Sequence, residues 1–229
     1  MCEPDNPLSG TVTFTTNRAE GAFQPGDYLS IQYDNCQLDS EGAERTKGGL
    51  MMKLLSMSGD PTSMEVGKAW SYQVTMQYQG FTVMSAGGRS SVDGELLVTK
   101  SSPGPYNEDL DEHITTHFET TSVRLTEDAD VHEYTQANGT LMSNFTPENT
   151  WVANLQTKLR STVFKGHMAF ATQTPFEGSL GNMLPQQGRG RITGAEDQWI
   201  DIVALPAGVQ GNLKTPYTQD SFFIDWSEF

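Results

Sequence analysis

The sequence predicts an all-β chain, a large antiparallel meander whose sheet is curved or partly closed into a barrel. Three observations carry that expectation. First, the long readable stretches alternate. Tyr28-Leu29-Ser30-Ile31-Gln32-Tyr33-Asp34 puts Leu29, Ile31 and Tyr33 on one side with polar residues between them, and Tyr72 to Tyr78 and Leu155 to Val163 repeat the pattern. A period of two is the mark of strands with one dry face and one wet face. Second, Gly, Asn, Asp and Pro interrupt these stretches at short intervals, which is the turn chemistry of hairpin-connected strands. Third, helical spacing is scarce. A two-layer β-sandwich is the alternative, because one sheet this wide must curl, close or split. Strict repeats are absent, which disfavours a propeller or solenoid.

Taken in order, Gly10 to Thr16 opens as a β-branched strand, and Phe23-Gln24-Pro25-Gly26-Asp27 is a turn in which Pro sets φ and Gly supplies the positive φ after it. The Tyr28 to Cys36 strand follows, then a polar connection from Gln37 to Gly49. Leu50 to Met57 has apolar residues at helical spacing, but Gly48-Gly49 and Gly59-Asp60-Pro61 bound it to strand length, so a strand is expected. Trp70 to Met84 and Val92 to Lys100 form a hairpin around Ala86-Gly87-Gly88-Arg89. Ser101-Ser102-Pro103-Gly104-Pro105 is the strongest break. Residues 1–229 are expected to make one domain, with 101–106 as the point of division if there are two.

Beyond it come Ile114 to Leu125, then Val131 to Gln136 and Thr140 to Phe145 joined by an Asn138-Gly139 turn, the strongest short hairpin signal. Trp151 to Thr172 has the length of two strands, with Gly166 at a bend or bulge, and Gly188 to Thr193 pairs with Gln198 to Leu205. The tail, Phe222-Phe223-Ile224-Asp225-Trp226, is apolar enough to dock. The total is about 11–13 strands, estimated from the spacing of turn signals.

Composition bounds what this sheet does. The hydrophobic fraction is 36% and mean hydropathy −0.47, a deficit that one solvated face explains, whereas four Trp, seven Tyr and eleven Phe argue against disorder. The formal charge of −15 repels phosphate backbones and anionic membranes, so nucleic acid is not expected as a partner. No apolar run has the roughly 18–20 residues of a membrane helix. Met1 leads straight into Cys2-Glu3-Pro4-Asp5 with no signal peptide, which suits an exported domain whose signal has been removed.

Cys2 and Cys36 are the two cysteines. An even count in a loop-rich acidic β-protein suits a disulfide in an oxidising compartment, and closing this loop stabilises by roughly 3–4 kcal/mol while anchoring the N-terminus. Two rivals stand beside that pairing. Cys2 is a candidate lipid-bearing first residue of a mature bacterial lipoprotein, and both thiols are reduced if the chain is cytoplasmic. Neither cysteine sits in a Cys-x-x-Cys or beside a histidine in sequence.

Two stretches are more specific. One is Pro25-Gly26-Asp27-Tyr28-Leu29-Ser30-Ile31-Gln32-Tyr33-Asp34-Asn35-Cys36, a Gly-Asp turn feeding a strand that ends in Asn-Cys. The other is Thr174-Pro175-Phe176-Glu177-Gly178, then Pro185-Gln186-Gln187-Gly188-Arg189-Gly190-Arg191-Ile192-Thr193-Gly194-Ala195 and the Trp199 to Leu205 strand. Together they resemble a group of uncharacterised Gram-negative envelope lipoproteins, over about a quarter of the chain and through turn chemistry. The resemblance implies export, to the periplasm or outer membrane, and supplies no catalytic residue. Members often end in an Asp-Gly-Asp-Gly segment; here the region reads Gln210-Gly211-Asn212-Leu213-Lys214, which removes that candidate ion site.

No constellation assembles an active site, and neither a catalytic residue, a cofactor nor a metal is assigned. His113 and His117 share a strand face about 13–14 Å apart, too far to hold one metal. The acidic run Asn107-Glu108-Asp109-Leu110-Asp111-Glu112 has oxygen ligands suited to Ca²⁺ but not the spacing of an EF-hand, and a solvated loop is the plainer reading, as for Glu127-Asp128-Ala129-Asp130. Arg189 and Arg191 face one side and either bind an anion or relieve acidic repulsion, the second being preferred. Ten methionines, among them Met51, Met52, Met57, Met64, Met76 and Met84, are mainly gap-fillers, and would equally line an adaptable apolar cavity. The expectation is a non-enzymatic envelope protein that binds a lipid-like ligand in its concave face, or an envelope protein partner. A secreted glycan hydrolase using two carboxylates is the alternative.

Overall fold

The computed structural model describes residues 2, 10–18, 21, 23–37, 44–163, 166–195 and 198–228, with backbone alone at Met183. The strands are β1 Thr11–Thr16, β2 Tyr28–Gln37, β3 Arg45–Ser58, β4 Trp70–Ser85, β5 Gly88–Ser102, β6 Glu112–Glu127 and β7 Asp130–Phe145. They continue as β8 Thr150–Ser161, β9 Gly166–Ser179, β10 Asn182–Thr193, β11 Trp199–Leu205, β12 Gly208–Lys214 and β13 Gln219–Asp225. A single 3-10 turn, Trp226–Glu228, is the one helical element among the described residues. All thirteen strands lie in one sheet in sequence order, each antiparallel to the next. The predicted meander is therefore the fold, as one open sheet that is neither closed into a barrel nor split into a sandwich. The sheet runs without interruption past the Pro/Gly break at 101–106.

Register sorts the side chains by chemistry. Leu29, Met52, Met76 and Leu96 lie opposite one another on β2 to β5, and Leu54, Val74, Val98 and Phe118 form the adjoining row on β3 to β6. Thr157, Phe170, Ile192, Ile200 and Leu213 carry the same face across β8 to β12. The opposite face is richer in Gln, Thr and charged residues, with Met51, Leu97, Met142 and Trp199 among them. Bulges break the ladder between Tyr78 and Phe81, Gly94 and Leu97, Thr135 and Asn138, and Ala153 and Gln156. The first three each add one residue and the last adds two, and such insertions bend the strand and increase local twist. Gly94 takes φ 128 at one of them, and Gln136 takes φ 51 at another, where a non-glycine residue is uncommon.

Little is fully buried. The buried apolar residues are Cys36, Leu54, Trp70, Ala137, Trp151 and Ala204, scattered from β2 to β11. Both buried indoles have a partner, Trp70 Nε1 donating to Glu112 Oε1 at 3.0 Å and Trp151 Nε1 to the Ser179 carbonyl at 3.1 Å. The accessible surface is 14109 Å², whereas a compact chain of this mass exposes about 10,000 Å².

Three expectations are corrected. Asn138-Gly139 is not a turn: both residues lie inside the continuous 16-residue strand β7. Gly139 is needed for another reason, since it pairs with Phe118 and the Phe118 ring occupies the space a side chain would take. Thr174 to Gly178 and Pro185 to Gln187, read as turn chemistry, lie within β9 and β10, where register shifts absorb Pro175 and Pro185, whereas Gly188 to Thr193 is strand as expected. The polar connection expected from Gln37 to Gly49 is shorter, because β3 begins at Arg45 and pairs with β2 from there.

Candidate functional site: an apolar hollow over β2 to β5

Among the described residues no second layer covers the apolar rows of β2 to β5, and a hollow of about 790 Å³ lies on them. Its floor is Leu29 of β2, Met52, Leu54 and Met57 of β3, Tyr72, Val74 and Met76 of β4, and Val98 of β5. These residues meet because alternation sends every second residue of each strand to this face and the register sets them side by side. The volume falls in the range of ligand pockets, and thioethers beside aromatic rings adapt to irregular apolar shapes.

Two connections form the rim. The described part of the β1–β2 segment brings Arg18, Phe23 and Asp27, with the Arg18 guanidinium 4.1 Å from the Phe23 ring centroid. The turn within that segment closes by Gln24 N donating to Asp27 Oδ2 at 2.8 Å and Asp27 N to the Gln24 carbonyl at 3.0 Å. It is tied to β3 by Gly26 N donating to the Leu54 carbonyl and Leu54 N to the Asp27 carbonyl, each 2.8 Å. On the other side Gly59 to Thr62 closes the β3–β4 connection. Asp60 Oδ1 accepts from Thr62 N at 2.9 Å and from Thr62 Oγ1 at 2.6 Å, which holds its carboxyl below the usual range. Both rim carboxylates are thus engaged in turns. Tyr72 stacks on Trp70 with centroids 5.8 Å apart, and burial pushes its phenol up. The hollow can hold an apolar group and offers few polar groups to orient it.

The other predicted residues lie elsewhere. Cys2 and Cys36 are joined in a disulfide with Cα atoms 5.4 Å apart, at the far end of β2 from the hollow, and the bond occupies the Cys2 sulfur. Asn107 to Glu112 is folded on itself: Asn107 Nδ2 donates to Asp111 Oδ2 at 2.7 Å, and Asp111 N to Asn107 Oδ1 at 3.0 Å. Asp128, in the β6–β7 turn, ties that turn to β5, its carboxylate accepting from Arg89 N at 2.8 Å and its own N–H donating to the Arg89 carbonyl at 2.7 Å. His113 and His117 are both on β6 and each has its own neighbour, Asn144 Oδ1 at 2.8 Å and Thr140 Oγ1 at 3.4 Å. Arg189 and Arg191 share a face of β10, as expected, and Arg191 forms a two-pronged pair with Asp201, Nε to Oδ1 at 2.6 Å and Nη2 to Oδ2 at 3.0 Å.

Met52, Met57 and Met76, read as gap-fillers or cavity lining, take the second role; Arg18 and Phe23 were not anticipated, because only the fold brings them to β3. No protein-family model, curated protein or solved structure matches this chain.

Proposed function

We propose that this chain is a non-enzymatic binding protein of the Gram-negative periplasm or outer membrane that holds a lipid-like ligand against the apolar face of β2 to β5. The observation that carries the proposal is the Met- and aromatic-lined hollow of about 790 Å³ on an uncovered apolar face. Export is supported by the Cys2–Cys36 disulfide, since such bonds persist in oxidising compartments, and by the resemblance of residues 25–36 and 174–205 to envelope lipoproteins.

The test is native mass spectrometry of protein purified from envelopes without detergent, paired with displacement of a fluorescent fatty acid. A co-purified lipid-like species and a saturable, displaceable signal are expected. Met76→Lys, which sets an ammonium among Leu29, Val74 and Val98, should weaken probe binding at least about tenfold, because a charge is not stripped of water without a partner. Unchanged affinity in a folded Met76→Lys protein, or no probe binding by the wild type, overturns the proposal and leaves a protein partner as the occupant of this face.

A further inference from the structure

The charges of this chain are segregated. Strands β8 to β12 carry five of its 14 cationic residues and two of its 29 acidic ones. Register places all five cations on the polar face, opposite to the hollow: Lys158 and Arg160 on β8, Arg189 and Arg191 on β10, and Lys214 on β12. On these strands Glu177 and Asp201 are the carboxylates beside them, and on neighbouring β7 Glu133 stands opposite Arg160 with Arg124 of β6 beyond it, so six cations meet three carboxylates on a chain of net −15. On an acidic chain a cation surplus of this kind draws anions to the face that carries it.

Its layout is that of a trough. Lys158, Ala169, Thr193, Trp199 and Lys214 stand opposite one another across five strands, a row about 19 Å long at the usual strand spacing. Ala169 and Ala171 on β9 are short, which leaves Lys158 and Arg160 on one side of them and Arg191, Trp199 and Lys214 on the other. Trp199 organises that second wall: the Arg191 guanidinium is 4.3 Å and the Lys214 ammonium 5.7 Å from its ring. Among the described residues, Lys158, Arg160, Arg189 and Lys214 make no ion pair, and all four are exposed. Arg160 and His167, paired across β8 and β9, also border a hollow of about 580 Å³ on this face.

We propose that this trough binds an acidic polysaccharide. The cations are single and separated by uncharged hydrogen-bonding side chains, Gln156, Thr193 and Asn212, of the kind that pair with sugar hydroxyls. A polymer with sparse charge suits that pattern. Nucleic acid, with one charge per roughly 1.7 Å of duplex, would meet a surplus of only three and the repulsion of the remaining surface. The site is independent of the hollow, so either proposal stands if the other fails.

Affinity electrophoresis of the wild-type protein in gels containing polygalacturonate, dextran sulfate, neutral dextran or an oligonucleotide tests it. Retardation by one or both acidic glycans is expected, the tighter one naming carboxylate or sulfate as the group recognised, with weakening as salt rises. Lys158→Glu with Arg160→Glu should weaken binding about tenfold by reversing charge at the wall. Arg189→Gln with Lys214→Gln, which leave β8 untouched, should weaken it in the same direction and cover the case in which the first variant loses its β spectrum. Retardation no greater than in neutral dextran, tighter binding of the oligonucleotide, or folded variants that bind as the wild type does would overturn the proposal.

Discussion

Trp151 shows how a single residue is held in a sheet this thin. Its indole is buried, pairs across strands with Gly178, and donates to the Ser179 carbonyl, so the ring cannot swing aside. A Cβ at Gly178 would stand 2.7 Å from the ring. Gly178→Val should therefore cost about 1–3 kcal/mol, read as a lower urea midpoint, and an unchanged midpoint would show that the ring is not fixed. Cys2→Ser opens a loop whose ends are 34 residues apart and should lower stability by roughly 3–4 kcal/mol; a native protein whose urea midpoint ignores reductant would contradict the crosslink. The Arg191–Asp201 pair sets a pH dependence. The arginine hydrogen bond holds the Asp201 carboxyl below its usual value, so its contribution is complete above the unfolded carboxylate pKa of about 3.9. That contribution is lost as pH falls through the lower folded value. The stability difference between wild type and Asp201→Asn should accordingly be present at pH 6 and shrink below about pH 4. A difference that persists undiminished at pH 2 would mean that the carboxylate charge contributes nothing.

Bulges decide what the long strands of this sheet can do. β4 runs from Trp70 to Ser85, and its shift between Tyr78 and Phe81 separates the row that floors the hollow from the turn-proximal end. Without such breaks a sixteen-residue strand twists uniformly; with them it bends locally, and the apolar face gains relief. Gly26 and Asp27 are tied to Leu54 of β3 by two backbone hydrogen bonds, so this part of the rim and the floor of the hollow are mechanically one unit. The same element logic separates the two proposed surfaces: β2 to β5 present apolar rows on one side, and β8 to β12 present cations on the other.

The whole molecule exposes more surface than a compact chain of its size and has six scattered buried apolar residues in place of one contiguous core among the described residues. Stability must then come largely from the cross-strand ladder and from half-buried side-chain rows, with the disulfide as a staple at one end. Because the heat capacity and denaturant slope of unfolding scale with newly exposed surface, both should fall about a seventh below those of a compact protein of equal length. Calorimetry and urea titration measure them, and values at or above the compact expectation would mean that the apolar face is covered in solution.

Alternation, turn residues and composition were enough to read an antiparallel meander, its strand count and its acidic, one-sided character from residues alone, because a period of two and the φ demands of Gly and Pro are local properties. Leu29, Ile31 and Tyr33 declared their face without any knowledge of their neighbours. Cys2 and Cys36 could be paired on paper for the simpler reason that there were two of them. Asn138-Gly139 misled for the same local reason: its turn propensity is real, but pairing on both sides of β7 and the Phe118 ring over Gly139 outweigh it. The open edge of the sheet, the bulges, and the meeting of Phe23 with Met52 and Met76 could not be read that way. Nor could the gathering of Lys158, Arg191 and Lys214, which are scattered over 57 positions yet lie on one face. Register is the sum of many cross-strand choices, and one residue of slip moves every side chain of a strand to the other face.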